Sequence, residues 1–554
     1  MAKKLRGADV VVQTLQRYGA SKLFTLSGNH IMPIFDAVHG SGIDLIHVRH
    51  EAAAVHMAEG WARITGKVGF ALATGGQGHS NGAAALFNAR CSDAPIVFLS
   101  GQAGLNELGR GAFQEMQQVE MARPVTKTSW MAHSAATVGR ELAEAIRLAA
   151  SGRPGPVHLS LPQDVLEQEL NLTADDAYAA SFLPEIAAAQ PTPMPLADDL
   201  ADLVLARLAR ARKPLILCGP TLCTETGRQK MRQLQEALRV PVIGAESPRG
   251  INDPSLGAFA EMLAQADLIL LLAKALDYSL RFGDAPFISE SCEFMVLHPE
   301  MEAAALVGES KRGRLACYAV ADHARAVKAL VSRAKTATQN SSWLDEVTAA
   351  VCYRPEQWQQ ARSKTEGTLR ATEVASEINA FLEKHPRHTV VIDGGEFGQW
   401  SQSLVRANRR LINGLAGSIG IGLPFAIAAK AARPEDTVLV MMGDGTFGFH
   451  MAEFDTALRN NLPVIAVVGN DANWNAEYQI QVRSYGRERA KGCELLPARY
   501  EKVVEALGGY GEYVATPEQF PAALARALAS GKPACINVSI EAVAAPIVRR
   551  AKSA

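Results

Sequence analysis

Short apolar runs alternate along the chain with longer segments whose apolar positions recur every three or four residues. In the first third the runs are 22–26, 44–48, 69–73, 95–100 and 156–161, with amphipathic stretches such as 51–65 and 138–150 between them. Runs this short have the length of buried strands, and the longer spacing is that of a helix with one face in a core. Alternation of the two predicts an α/β layer on a largely parallel sheet. The pattern returns at 214–218, 241–243, 268–272 and 294–297, and again at 389–392, 437–442, 464–468 and 534–538. The stretch 183–198, with Pro184, Pro191, Pro193 and Pro195, reads as a linker, and 335–365 as a polar joint. The expected fold is α/β, with three doubly wound parallel-sheet domains at 1–182, 199–335 and 365–545. A helix-rich close and a tail over 546–554, ending near Lys552, would follow.

Composition narrows the function classes. The 554 residues are 48% hydrophobic and 20% charged, which suits large cores and excludes a disordered chain. Lys plus Arg number 56 against 57 Asp plus Glu, a net charge of −1, so no basic excess exists to neutralise a phosphate backbone and no nucleic acid partner is expected. No stretch approaches the roughly 18–20 continuous apolar residues of a membrane span. The basic residues 1–6 are not followed by the apolar run of a secretory signal. Eight scattered cysteines form no Cys-x-x-Cys pair, which points away from zinc and toward a reducing cytoplasm. Small molecules are the expected substrates.

The sharpest motif is Gly443-Asp444-Gly445-Thr446, directly after an apolar strand-like run. Glycines there let the backbone approach a phosphate, the following helix N-terminus offers free N–H groups, and the Asp444 carboxylate can hold a hard cation against that phosphate. As a lone tripeptide Gly-Asp-Gly is a turn signature. A second strand, 464–468, ends in Gly469-Asn470-Asp471-Ala472-Asn473-Trp474, with Asp471 27 residues after Asp444. A strand–helix–strand unit brings both acids to the carboxyl edge of one parallel sheet, where open α/β sheets bind ligands. Asp444, Asp471 and Asn473 are the metal-ligand candidates, for Mg²⁺.

This pair of motifs resembles the diphosphate-binding signature of thiamine-diphosphate (ThDP) enzymes, with Asp471 where the family carries a second Asn. The exchange keeps an oxygen ligand and adds a charge. The resemblance covers almost the whole chain, with the three blocks similar to pyrimidine-binding, central and diphosphate-binding domains. It assigns Glu51, in Arg49-His50-Glu51, as the carboxylate that activates the aminopyrimidine. It places the glycine-rich turn with Gly75, Gly78 and Asn81 beside the cofactor, along with Gly443, Gly445, Thr446 and Trp474. It gives Ile419, in Gly417-Ser418-Ile419-Gly420, as the apolar wedge beneath a folded cofactor whose amino group the Gly417 carbonyl receives. A homodimer or homotetramer with active sites between subunits is implied.

For the reaction, the resemblance implies a ThDP-dependent carbon–carbon lyase or carboligase. Gly28-Asn29-His30 lies in a loop where lyases of the benzaldehyde lyase type also carry His, which makes His30 a candidate proton shuttle. Ala112-Phe113-Gln114-Glu115 resembles the Phe-Gln-Glu stretch of acetolactate synthases, with Gln114 bonding an intermediate hydroxyl. Asp393-Gly394-Gly395-Glu396-Phe397 and Gly469-Asn470-Asp471-Ala472-Asn473-Trp474 look closer to acetolactate-synthase-like 2-hydroxyacyl-CoA lyases. In the region of Glu396–Trp400, where acetolactate synthases carry Gly-Gln-His-Gln-Met, this chain has Glu-Phe-Gly-Gln-Trp. Lys491–Pro497 resembles the closing lid of such lyases, with Glu494 assisting proton transfer, and Arg483, Arg487, Arg489 and Lys491 could meet CoA phosphates. A 2-hydroxyacyl-CoA lyase releasing formyl-CoA is the expectation, with an acetolactate-synthase-like 2-keto-acid enzyme or an acyloin lyase as alternatives. The middle block holds FAD in some relatives and ADP or CoA in others, and Arg249, Lys274 and Arg281 are its basic candidates.

Overall fold

The computed structural model describes residues 5–170, 182–334 and 341–550. The expected boundary at 335, the first part of the polar joint, residues 1–4 and the tail end near Lys552 lie outside the described residues. The chain gathers into two compact units, Met1–Pro193 and Met194–Ala554.

In the first unit, a two-residue strand β1 (Leu5–Arg6) pairs antiparallel with β8 (Glu169–Leu170). The main sheet is six parallel strands: β2 (Lys22–Thr25), β3 (Asp44–His47), β4 (Gly69–Ala73), β5 (Ile96–Gln102), β6 (Thr128–Met131) and β7 (Val157–Pro162), in the order β3-β2-β4-β5-β7-β6. Strands β4, β5 and β7 are buried at every residue, as a parallel sheet covered by helices on both faces requires. The helix Glu51–Thr65 starts where the His50 ring accepts the Ala52 N–H and ends where Gly66 turns left-handed at φ 70°.

The second unit holds two parallel sheets. The first has β9 (Pro214–Cys218), β10 (Val242–Gly244), β11 (Leu268–Leu272), β12 (Glu293–His298) and β13 (Leu315–Val320), ordered β10-β9-β11-β12-β13. The other has β14 (His388–Ile392), β15 (Arg410–Ile412), β16 (Thr437–Gly443), β17 (Ile465–Asn470), β18 (Tyr510–Val514) and β19 (Ala534–Ser539), ordered β15-β14-β16-β17-β19-β18. Three parallel sheets with helical crossovers realise the expected α/β class. Charged pairs tie the two sheets of this unit together: Glu225 accepts from Arg409 at 3.2 Å and Arg433 at 2.6 Å, and Arg410 reaches Glu246 at 3.2 Å.

Two differences from expectation have physical causes. Apart from the β1–β8 ribbon, the strands that the apolar runs did not predict are β6, β13, β15 and β18, and each is a sheet edge. An edge strand is half-covered, so β13 carries Tyr318 and β18 carries Tyr510, Glu512 and Tyr513 among their apolar residues. The close after β19 is not helical: residues 541–550 have no regular structure. Pro546 interrupts it, and the carbonyls of Val543 and Ala544 accept instead from the side chains of Asn475, at 3.2 Å, and Trp400, at 2.9 Å. Among the described residues no helix is long and apolar enough to cross a membrane.

Candidate cofactor and active site

Strands β14, β16 and β17 are parallel neighbours whose registers pair Ile392 with Met441 and Gly443 with Gly469. Their carboxyl ends therefore lie side by side, and the three segments that follow wall an open cleft of about 440 Å³. Glu396 and Phe397 come from the first segment, Asp444, Gly445 and Thr446 from the second, and Asp471, Asn473 and Trp474 from the third, with Gly443 and Ile419 completing the predicted set. Gly417 and Ser418 do not line the cleft. They belong to the turn that presents Ile419, with Gly417 at φ 68° and the Ser418 carbonyl held by Asn413 Nδ2 at 3.0 Å. Close approach needs a glycine at Gly469, where a Cβ would fall 2.5 Å from the Phe397 ring.

The electrostatics of the cleft fit a hard cation. Asp444 is buried, and its Oδ2 atom and the Oδ1 atom of Asn473 have no hydrogen-bond partner. Burial pushes the Asp444 carboxyl up to about 6. Burial first, and the Asp444 charge second, push Asp471 up to about 8. Two neighbouring carboxylates, one buried and one half-buried, repel unless a cation joins them, and an orphaned amide oxygen beside them completes an all-oxygen donor set. Among the described residues no three His, Cys, Asp or Glu side chains gather as a metal cluster, so this set of two carboxylates and an amide is the cation candidate.

The first unit gathers the other predicted residues. Glu51 opens its helix in a buried position, and Asn81 Nδ2 donates to Glu51 Oε2 at 3.0 Å. A Cβ on Gly78 would stand 3.3 Å from the other carboxylate oxygen, so the glycine-rich turn lies directly over the acid. Gly28 presses on Thr74, whose hydroxyl meets His30 Nδ1 at 3.2 Å. Phe113 stacks on the His30 ring with centroids 6.0 Å apart. Burial lowers the His30 pKa, against the Phe113 backbone and the Glu107 charge. Gln114 stands at φ 56° against Gly76, next to Gly75, and Asn29 is exposed at the start of the short turn bearing His30.

Other expected site residues fall outside these groups. Glu494 is exposed and bridges in backbone register to Asn473, beside the cleft but not among its lining residues. Arg483, Arg487, Arg489 and Lys491 are exposed. Lys274 is buried and bonds Asp277 Oδ2 at 2.6 Å, while Arg249 reaches Glu396 at 3.3 Å.

Sequence reasoning missed Asn475 and Gln118. Asn475 opens the helix Asn475–Tyr485, lines the cleft and hydrogen-bonds Asp471 in the loop before that helix. Buried Gln118 receives the Gly76 N–H at 2.8 Å and donates to the Gly101 carbonyl at 2.9 Å, a long-range bond with no local signal.

Comparison with known proteins agrees with this geometry. Residues 5–121 match the family described as thiamine pyrophosphate enzyme, N-terminal TPP binding domain, and residues 393–538 its C-terminal TPP binding domain. A probable acetolactate synthase of Mycobacterium bovis is 31% identical over 552 residues, covering 97% of this chain and 96% of the relative. Human 2-hydroxyacyl-CoA lyase 2 is 30% identical, covering 91% and 84%. The large subunit of Escherichia coli acetolactate synthase isozyme 3 is 30% identical, covering 95% and 92%. With both cofactor-binding domains matched and whole-length relatives at this identity, the chain belongs to the thiamine-pyrophosphate enzyme family, in its group of acetolactate synthases and 2-hydroxyacyl-CoA lyases.

Proposed function

We propose that the protein is a ThDP- and Mg²⁺-dependent carbon–carbon lyase or carboligase that cleaves 2-hydroxyacyl-CoA to an aldehyde or ketone and formyl-CoA. The observation that carries the cofactor reading is the buried, unpartnered Asp444 Oδ2 and Asn473 Oδ1 beside Asp471 at adjacent strand ends. Asp444, Asp471 and Asn473 would hold Mg²⁺ and through it the diphosphate, with the N-terminal N–H groups of the helix Asp444–His450 facing the same anion. Bound ThDP supplies the electron sink for breaking or making a bond next to a carbonyl carbon.

The chain's own residues then bind, orient and move protons. Glu51, oriented by Asn81, holds the proton exchanged with the aminopyrimidine ring. Ile419 and Gly417 shape the folded cofactor. His30, held neutral by burial and packed on Phe113, is poised to accept a substrate proton, and Gln114 to bond a substrate hydroxyl. Glu494 assists a later proton transfer, and exposed Arg483, Arg487, Arg489 and Lys491 meet CoA phosphates. The active assembly is a cytoplasmic homodimer or homotetramer.

The substrate choice rests on Glu396 and Phe397 in the cleft wall, in the region where acetolactate synthases carry Gly-Gln-His-Gln-Met. The whole-length resemblance to a probable acetolactate synthase favours a second reading, a 2-keto-acid decarboxylase and carboligase. A coupled assay separates the two: formyl-CoA from a 2-hydroxyacyl-CoA supports the first reading, and CO₂ from pyruvate with no formyl-CoA overturns it.

A further inference from the structure

One carboxylate outside the cleft joins two of its walls. Asp393 directly follows strand β14, is fully buried, and lines no part of the cleft. Its Oδ1 receives the N–H of Gly394 at 2.6 Å, its Oδ2 receives the N–H of Gly422 at 2.7 Å, and the Gly420 N–H also reaches it. These donors stand at the entries of two helices, Gly395–Leu404 and Gly422–Ala432. One helix carries Glu396 and Phe397 into the cleft, and the turn before the other carries Ile419. An anion at two helix N-termini is favourable to both.

The packing between the walls is tight. A Cβ on Gly394 would fall 2.6 Å from Ile419 Cγ2, so Ile419 rests on the Gly394 backbone that Asp393 fixes. Asn413 pins the other end of the turn at the Ser418 carbonyl, 3.0 Å away. Ile419 therefore has two anchors, and the Asp393 anchor joins it to the opposite wall.

We propose that Asp393 is a positioning residue which sets the height of Ile419 in the cleft, and through it the folded shape of the bound cofactor. The proposal rests on the ThDP reading above. It predicts that loosening Asp393 leaves the diphosphate and metal contacts in place and impairs the cofactor's geometry. Misplacement by about an ångström costs roughly 10²-fold in a reaction between positioned groups.

The test compares Asp393→Asn and Gly422→Ala with the unaltered protein and with Ile419→Ala. The Gly422 change adds a Cβ 2.9 Å from Asp393 Oδ2 and so displaces the carboxylate without removing it. Two quantities are read: ThDP affinity at saturating Mg²⁺, and the rate at which the C2 proton of bound ThDP exchanges with D₂O, followed by NMR after acid quench. The expected result is affinity within about tenfold of the unaltered protein and exchange slowed by roughly 10²-fold, as in Ile419→Ala. Unchanged exchange in either folded variant overturns the proposal, and so does failure of both variants to fold, the mark of a merely structural residue. An unaltered protein that neither binds ThDP nor speeds its exchange sinks the cofactor reading instead.

Discussion

Asp444 and Asp471 carry the strongest charge conflict in the cleft, and the residues around them show how it is resolved. Asp444 keeps one oxygen without a partner, while Asp471 is held by Asn475 at the start of the following helix. Removing Asp444 should end Mg²⁺-dependent ThDP binding. Asp471→Asn keeps an oxygen ligand and deletes one negative charge, so Mg²⁺ affinity should drop about tenfold while saturating Mg²⁺ still loads ThDP. Titration calorimetry of the two variants checks both outcomes. Glu51→Gln preserves the shape of the acid and its contact with Asn81 but removes the exchangeable proton. Turnover should fall by roughly 10²- to 10⁴-fold with ThDP affinity little changed, which steady-state kinetics and binding measured together will reveal. Equal turnover in this variant would remove Glu51 from the chemistry.

At the scale of elements, the glycine-rich turn is held by a buried polar chain. The helix Gln77–Cys91 carries Gly78 and Asn81, and its His79 meets Ser100 of β5 at 3.2 Å. Ser100 bonds His158 of β7 at 2.7 Å, and His158 bonds Ser129 of β6 at 2.8 Å. Burial lowers the His79 pKa to about 4 and holds His158 well below its ordinary value, with His79 adding to the effect. Both are neutral when folded, so the unfolded chain takes up protons first as pH falls. The His79 contribution is complete above about pH 6.5 and is lost as pH drops from there toward about 4, at up to about 1.4 kcal/mol per pH unit, and His158 acts in the same direction. Urea midpoints from pH 8 to 5 should fall accordingly, and His79→Gln should flatten part of the slope. A midpoint constant across that range contradicts this account. The helix Glu51–Thr65 and the central strands follow from apolar spacing, whereas edge strand β6 pairs only with β7 and meets His158 through Ser129, contacts with no local signal.

For the whole molecule, a bound cofactor and metal stabilise only the folded chain. ThDP with Mg²⁺ at a hundred times the dissociation constant should add about 2.7 kcal/mol to stability, and EDTA should reverse the gain. Thermal melts with each component alone and with both will test the pairing, since two carboxylates and a diphosphate need the cation between them. Light scattering should return two or four times the 59.3 kDa chain mass. A monomer with full activity would contradict the proposed assembly.

The sequence by itself determined the α/β class, the central strands and the motifs whose family resemblance implies the cofactor. Each is written in neighbouring residues: a run of buried apolar side chains, a glycine-bracketed acid at its end, and a crossover that places the next strand alongside. Helical connections make parallel neighbours out of chain neighbours, so Asp444 and Asp471 share one sheet edge before any long-range contact is known. Tertiary structure alone decided the edge strands β6, β13, β15 and β18, the irregular path of 541–550, the grip of Gln118 on Gly76 and the junction at Asp393. Those features depend on half-covered surfaces and on hydrogen bonds between segments far apart in the chain, whose partners become definite only once the sheets have closed.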